Sequence, residues 1–307
     1  MQPFIKADEI TKTYGQTLAL DRVSFEVNQN EIFGFIGPDG AGKSTLFQIM
    51  TTLLIPDSGS GSINELDIAK NYKEIRSIIG YMPGRFSLYQ DLTVAENLKF
   101  YANIFGTTIK ANYELIKNIY DLLEPFSKRK AGDLSGGMKQ KLALCCALIH
   151  QPKALFLDEP TTGVDPVSRT EFWDNLTQIK HLGIPIVVST PYMDEAIRCD
   201  RVALIHKGRI LKMDTPQKII AEFSATVLSL SNIDKHQARE AIKNLEGIES
   251  IFAFGDSLHI TVSKDNSSII DNLRSTLSSI IPDYKLSEIT PDFEDCFLQL
   301  MKEEQNV

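Results

Sequence analysis

The chain has 307 residues, 43% hydrophobic and 23% charged, which is typical of a folded protein with one large and one small domain. Its net charge of −8 disfavours wholesale binding to nucleic acid. No stretch reaches the roughly 18 apolar residues of a membrane helix, and no secretory signal is visible, so another chain must span any membrane that it serves. The four cysteines suit neither a zinc site nor a disulfide framework, which indicates a reducing cytosol.

Strand and helix patterns alternate in the first two thirds of the chain. The sequence predicts strands over Phe4–Ile10, Arg22–Val27, Glu31–Ile36, Ile75–Met82, Ala154–Leu157, Pro185–Thr190 and Arg201–His206. It predicts helices over Lys43–Leu54, Leu92–Phe105, Tyr113–Leu123 and Lys139–Ile149. Short, wholly apolar runs are typical of strands buried on both faces of a parallel sheet, so the pattern predicts an α/β fold.

The carboxyl-terminal part differs in charge and in pattern. Residues 223–307 hold seven Lys or Arg and fourteen Asp or Glu, which predicts two domains, 1–222 and 223–307. The predicted order is βαββαβα: strands Thr226–Ser231, Ile248–Phe254, Ser257–Val262 and Lys285–Ile289, with helices Lys235–Leu245, Asn266–Ile280 and Asp292–Lys302. This order predicts a small ferredoxin-like α+β domain.

A glycine-rich loop connects a predicted strand to a predicted helix. Residues 37–44 match the phosphate-loop pattern G-x-x-x-x-G-K-[S/T], in which glycines let backbone N–H groups surround phosphate oxygens. Lys43 can reach the β- and γ-phosphates, and the Ser44 hydroxyl can ligate Mg²⁺. The alternative is a glycine-rich turn that matches by chance. The candidate nucleotide-binding residues here are Gly37, Asp39, Gly40, Ala41, Gly42, Lys43, Ser44 and Thr45.

Two carboxylates follow the apolar strand that begins at Ala154. Asp158 suits a place at Mg²⁺, either as a direct ligand or as a residue that holds one of the ion's ligands, and Glu159 suits a base that orients and polarises an attacking water. Active sites of open α/β sheets lie at the carboxyl ends of their strands, where these residues are expected. Alone, the pair could equally be solvated acids that end a strand; the phosphate loop favours the catalytic interpretation.

A third motif, Leu134-Ser135-Gly136-Gly137, precedes the helix predicted from Lys139. Ser135, Gly136 and Gly137 would form a helix start with free N–H groups, hence a second anion site separate from the first. The alternative is an ordinary helix cap.

These three motifs, in this order, resemble the ATP-binding subunits of ABC transporters over residues 1–222. The resemblance implies a RecA-like P-loop NTPase core with a helical subdomain inserted around residues 85–150. It implies ATP and Mg²⁺ as cofactors, transmembrane permease subunits as partners, and a place on the cytoplasmic face of the membrane. It also implies head-to-tail pairing with a second ATP-binding subunit, so that each nucleotide lies between the phosphate loop of one chain and the Ser135-type signature of the other.

The resemblance also implies roles for positions outside these three motifs. Tyr14 lies where the family has an aromatic residue that stacks on adenine, although a tyrosine that ends a strand is the alternative. Asp165 matches the loop that crosses the family's dimer interface. The ending at Thr290–Phe297 resembles the accessory carboxyl-terminal domain of bacterial exporter ATPases.

Three positions depart from the family pattern. Gly84 replaces a glutamine that contacts Mg²⁺, Pro191 replaces a histidine that bonds the γ-phosphate, and Asp39 replaces an asparagine. All three belong to the chain's own phosphate-loop side, whereas its signature is intact. We therefore expect an asymmetric pair, in which this chain hydrolyses ATP slowly and completes a competent site on a different ATPase chain. The alternative is a working homodimer that tolerates the replacements.

The sequence thus favours a transport-coupled ATPase of the exporter type. A second hypothesis is a nucleotide-gated binding module without useful turnover, which Gly84 and Pro191 favour and Glu159 opposes. A third is a soluble ABC protein acting on ribosomes or DNA, for which paired cassettes or long coiled-coil insertions would be expected.

Overall fold

The computed structural model describes residues 2–263, 268–279, 281 and 283–305, and its chain divides into two units, Met1–Pro216 and Gln217–Val307. The strands of the first unit are β1 (Ile5–Tyr14), β2 (Thr17–Val27), β3 (Ile32–Ile36), β4 (Ser58–Ile63), β5 (Leu66–Asp67), β6 (Ile79–Met82), β7 (Ala154–Asp158), β8 (Ile186–Thr190), β9 (Arg201–His206) and β10 (Arg209–Asp214). Its helices are α1 (Lys43–Met50), α2 (Tyr72–Ile78), α3 (Val94–Ile104), α4 (Tyr113–Tyr120), α5 (Gly136–Leu148) and α6 (Pro166–His181), with 3₁₀ turns at Glu124–Phe126, Ala131–Asp133 and Met193–Arg198.

A six-stranded sheet in the order β10-β9-β3-β8-β7-β6 is the core of this unit, and only its edge strand β10 is antiparallel. Every residue of β3, β7 and β8 is buried, as expected for strands with both faces covered. The predicted α/β fold is therefore confirmed. A second sheet, β2-β1-β4-β5, is antiparallel.

Aromatic rings fill the core. Phe25 of β2 packs edge-on against Phe35, and Phe35 packs against Phe47 of α1, with centroids 4.8 and 6.0 Å apart. Phe47 in turn packs against Phe156 of β7 at 6.0 Å. These contacts fix α1, and therefore the loop that precedes it, against the sheet.

The strand register determines which loops meet. Ile36 pairs with Thr190, and Asp158 pairs with Ser189, in parallel register. Since the carboxyl ends of parallel strands lie on one edge of a sheet, the loops that follow β3, β7 and β8 emerge side by side.

The helical insertion lies between β6 and β7 and contains α3, α4 and α5. Thr93 caps α3 in a reciprocal box, accepting from Glu96 N–H at 3.2 Å while Thr93 N–H donates to the Glu96 carboxylate at 2.8 Å. The fully buried Asn97 binds both backbone groups of Tyr89, which fixes the segment that leads into α3.

Several predicted boundaries were wrong. Residues 75–78 belong to helix α2, not to a strand, because Ile75 alone is buried among exposed polar neighbours, a helical pattern; the strand begins at Ile79. Helix α1 ends at Met50 rather than Leu54, because the Thr51 hydroxyl bonds the Phe47 carbonyl and Thr52 has a φ of +64°. Elements β4, β5, β10 and the long α6 were not predicted.

The second unit begins with α7 (Pro216–Ala221), which starts at the division between the units. Its other elements are β11 (Thr226–Ser231), α8 (Lys235–Ile242), β12 (Ile248–Phe254), β13 (Ser257–Val262), α9 (Ser268–Ser278), β14 (Lys285–Ile289) and α10 (Phe293–Gln305). This is the βαββαβα order, with an antiparallel sheet β12-β13-β11-β14. Residues 266, 267 and 280 of the predicted Asn266–Ile280 helix lie outside the described residues.

None of the helices formed by the described residues combines the length and the apolar composition that crossing a bilayer requires.

Candidate nucleotide-binding site

The glycine-rich loop leads from β3 into α1 and must contain glycine at specific positions. A Cβ on Gly37 would lie 2.1 Å from the Ile205 carbonyl oxygen, and Gly37 N–H donates to Thr190 O at 3.3 Å. Gly42 has a φ of +104°, and a Cβ there would lie 2.5 Å from Ala19 O. The loop therefore packs so closely on neighbouring backbone that side chains at these two positions are excluded.

Lys43, the first residue of α1, is only 3% exposed. Its ammonium group donates to the carbonyls of Gly37 and Pro38 at 2.8 and 3.0 Å and forms an ion pair with Glu159 at 3.1 Å. The cation is thus held inside the curve of the loop. A phosphate entering the loop would compete with the Glu159 carboxylate for it.

The two carboxylates stand at the end of β7. Asp158 is 4% exposed, and one of its oxygens accepts a hydrogen bond of 2.5 Å from the Ser189 hydroxyl. Glu159 N–H donates to the same hydroxyl at 3.0 Å, and Glu159 has a φ of +49°. Burial, with a smaller contribution from the charge of Asp158, raises the pKa of Tyr81 well above its usual range. Ser189 was not singled out from the sequence, yet it fixes both acids.

A cleft of about 390 Å³ lies over the loop. Gly40, Gly42, Lys43, Ser44, Thr45 and Glu159 line it, together with Tyr14, Thr17, Leu18, Ala19 and Lys207. Tyr14 is 48% exposed, so one aromatic surface is open at the end of β1. The structure therefore brings the sequence-predicted Tyr14 and phosphate loop into a single cleft, although they are far apart in the chain.

The Ser135 segment has a different geometry. The Ser135 hydroxyl accepts a long hydrogen bond of 3.4 Å from Met138 N–H and caps α5. A Cβ on Gly136 would lie 3.0 Å from Gly163 O, and one on Gly137 would lie 2.6 Å from the Ser168 hydroxyl. None of these residues lines the cleft over the phosphate loop. The signature is a second, separate helix start.

Asp165 caps helix α6 and accepts from Ser168 N–H at 2.9 Å. That hydrogen bond is the main reason that the pKa of Asp165 is lowered. Within this chain the Asp165 carboxylate therefore caps its own helix. It lies beside the signature because Ser168 packs on Gly137.

The positions that depart from the family pattern border the site. A Cβ on Gly84 would lie 3.2 Å from the Asp158 carbonyl oxygen. It would lie 3.6 Å from Asp158 Oδ2, the carboxylate oxygen that Ser189 does not bond. Pro191 follows Thr190, whose hydroxyl donates to buried Glu195 at 2.6 Å and accepts from Tyr192 N–H at 3.1 Å. Arg169 binds Glu195 at 3.1 Å and lies over the Tyr192 ring at 4.3 Å. Asp39 is exposed on the loop.

Two groups suit a magnesium ion. The Ser44 side chain is exposed in the cleft, and Asp158 bonds Ser189 through one oxygen, leaving the other without a hydrogen-bond donor among the described residues. Mg²⁺ takes hard oxygen ligands, usually one or two from the protein and the rest from phosphate and water, so each of these groups is of a kind that can bind it.

The family described as "ABC transporter" matches residues 20–162. The chain is 41% identical over 220 residues to the probable multidrug ABC transporter ATP-binding protein YbhF of Escherichia coli K12, a match covering 71% of this chain. The same match covers only 38% of that protein, so the chain spans well under half of its length. It is 34% identical over 291 residues to the doxorubicin resistance ATP-binding protein DrrA of Mycobacterium tuberculosis, covering 92% of this chain and 77% of that one.

Among solved structures, the dimeric ATP-binding cassette MJ0796, in a post-hydrolysis state with ADP and Pi bound, is similar with a TM-score of 0.63. The two sequences are 27% identical, and the alignment covers 69% of this chain and 98% of that one.

Proposed function

The chain belongs to the ABC transporter family, and we propose that it is the ATP-binding and ATP-hydrolysing subunit of a membrane-embedded exporter. The main support for this proposal is the set of residues that line one cleft. The exposed aromatic ring of Tyr14 lines it together with a phosphate loop whose buried Lys43 forms an ion pair with Glu159. Two relatives are named as a multidrug transporter protein and a doxorubicin resistance protein. These names favour export as the direction of transport.

In the proposed reaction, ATP enters with adenine against Tyr14 and its phosphates in the loop. The phosphates displace Glu159 from Lys43, which then neutralises their charge, while Glu159 becomes free to orient and polarise a water. Bound Mg²⁺, held by Ser44 and Asp158, would supply Lewis-acid charge stabilisation. Ser189 keeps Asp158 and the Glu159 backbone in place throughout.

We further propose that this site is the weak half of an asymmetric pair. Gly84 stands beside the Asp158 oxygen and offers no side chain to ligate a metal or a water. Pro191 has neither an imidazole nor an N–H, and it follows a strand end whose Thr190 carbonyl is bonded to the phosphate loop. Losing such contacts to the γ-phosphate weakens stabilisation of the transition state.

The signature supports the other part of this proposal. Ser135, Gly136 and Gly137 follow the family pattern but do not reach the chain's own cleft. They would complete the nucleotide site of a second ATP-binding subunit, as in head-to-tail dimers of the family. The alternative of a nucleotide-gated module without turnover rests on the same Gly84 and Pro191.

Restoring the missing side chains tests both the activity and the asymmetry. Gly84→Gln combined with Pro191→His should raise steady-state ATP turnover of the purified chain by at least about tenfold, a gain that one recovered transition-state contact can supply. Glu159→Gln in each background is the control. Equal turnover of the restored and original chains would overturn the asymmetry. Failure of both to bind ATP would overturn the ATPase proposal itself.

An apolar cavity of about 170 Å³ between β6 and helices α3 and α5 supports a permease as partner. Leu53, Tyr101, Phe105 and His150 line it, and the Phe105 ring stacks on His150 at 3.7 Å. Leu53 is 57% exposed, a large apolar side chain at the rim. We propose that an apolar helix end of the permease docks here and holds the chain at the cytoplasmic face of the membrane.

This docking is tested by co-purification with a co-expressed permease. Leu53→Asp should abolish the complex and leave ATP binding intact, whereas Leu182→Asp, at a residue 62% exposed on α6's end, should change neither. An undiminished complex with Leu53→Asp would contradict the proposed docking site.

A further inference from the structure

Lys207 lies in the nucleotide cleft, although no sequence motif points to it. It occupies a two-residue turn between β9 and β10, where His206 pairs with Arg209. Lys207 and Gly208 have φ angles of +45° and +78°, the combination of a type I′ hairpin turn. Asparagine or glycine is preferred at the first of these positions, so a lysine there is held in a conformation that side chains rarely adopt.

The turn is fastened to the phosphate loop. Gly208 N–H donates to Ala41 O at 2.9 Å, and Asp21 N–H donates to Gly208 O at 2.9 Å. A Cβ on Gly208 would lie 2.6 Å from Ala19 O, so the turn touches β2 as closely as backbone allows. The start of the Lys207 side chain is therefore fixed relative to the loop.

The Lys207 side chain is exposed. Within the part of the chain that the structure describes, its ammonium group forms no hydrogen bond and no ion pair. Lys43, the other cation lining the cleft, is already bonded to two carbonyls and to Glu159. An ammonium group that projects from a fixed turn into a phosphate cleft is placed to bind an anion.

The turn lies against the phosphate loop. It bonds Ala41 of that loop and packs on Ala19, which lines the same cleft as Lys43. We propose that Lys207 is a second phosphate-binding cation of this site. This inference rests on the proposed ATP-binding function. The proposed contact is to the phosphates that ATP and ADP share, and not to the base, so Lys207 would serve both nucleotides.

The test is binding of ATP, ADP and adenosine to the purified full-length chain. Lys207→Ala should weaken ATP and ADP binding about three- to tenfold, the value of one exposed charge-assisted contact, and leave adenosine binding unchanged. The loss should shrink as salt concentration rises, because an exposed charge is screened. Lys207→Arg should bind within about twofold of the original chain. Lys110→Ala, at an exposed lysine outside the cleft, is the charge-matched control and should bind normally.

A second variant separates binding from folding. Lys207→Gly removes the cation and also relieves the positive φ, so its Tm should be no lower than that of the original chain while its ATP affinity falls as in Lys207→Ala. Unchanged ATP affinity in Lys207→Ala, or an equal loss of adenosine affinity, would overturn the inference. If the original chain itself shows no saturable ATP binding, the proposed function fails, and with it this inference.

Discussion

The two glycine-rich helix starts of the first unit have different surroundings. At the start of α1, Lys43 is buried among carbonyls, Glu159 stands opposite, and Tyr14 and Lys207 complete a cleft. At the start of α5, Ser135 caps the helix weakly, and the glycines pack on residues 163–168 of the same chain.

A helix N-terminus alone does not make a nucleotide site. Both helix starts offer free N–H groups, but among the described residues only the first begins with a buried cation paired to a carboxylate, Lys43 with Glu159. The first is thus a site within one chain. We propose that the second acts together with groups of another chain, which is the physical reason to expect a dimer.

Removing the cation at the first helix start should give the largest effect. Lys43→Met should weaken ATP binding by about 100-fold, because a buried charge-assisted contact is lost and Glu159 remains beside the phosphates. Lys139→Met, in the first turns of α5, is the matched variant and should leave the chain's own ATP affinity unchanged. Titration with a fluorescent ATP analogue measures both. Equal losses would mean that the two helix starts serve one site.

A substitution at the second helix start should separate binding from turnover. A Cβ at Gly137 would lie 2.6 Å from the Ser168 hydroxyl, so Gly137→Ala must displace the signature or α6. The assembled transporter should lose about tenfold or more of its ATPase activity, since the contact that we propose between the signature and the γ-phosphate in the partner's site would be displaced. ATP affinity of the isolated chain should stay as it was. A change in that affinity would show that the signature contributes to its own chain's site.

The smallest effect is expected at Tyr14, the half-exposed ring of the first site. Tyr14→Ala should weaken ATP binding about three- to tenfold and Tyr14→Phe should not, because stacking needs the ring and not the hydroxyl. Tyr72→Ala, at a ring 41% exposed outside the cleft, is the control. A loss with Tyr14→Phe equal to that with Tyr14→Ala would argue against stacking.

The parts of the fold that sequence predicted best are those determined locally. The apolar strand before Gly37 and the apolar run that ends at Asp158 indicated the α/β core, because buried parallel strands are continuously hydrophobic. The strands of the second unit were placed at their observed bounds because turn residues flank them. Helix α6 was missed because its apolar positions are diluted by polar ones that face solvent.

For the site, too, only the features determined by neighbouring residues could be predicted from the sequence. The phosphate loop was predictable because its chemistry lies in consecutive residues. Ser189 and Lys207 were not, because their roles depend on the parallel pairing of β7 with β8 and on a turn packed against Ala19. Contacts between residues distant in the chain carry no local signature.

Steady-state ATP hydrolysis by the purified chain, measured over a range of protein concentrations, tests the asymmetric pair most directly. Saturable ATP binding with slow turnover, close to that of Glu159→Gln, and with no dependence of specific activity on concentration, is the predicted result. Turnover well above that control, rising faster than linearly with concentration, would reveal a working homodimer and contradict the assignment of this chain as the weak half of a pair.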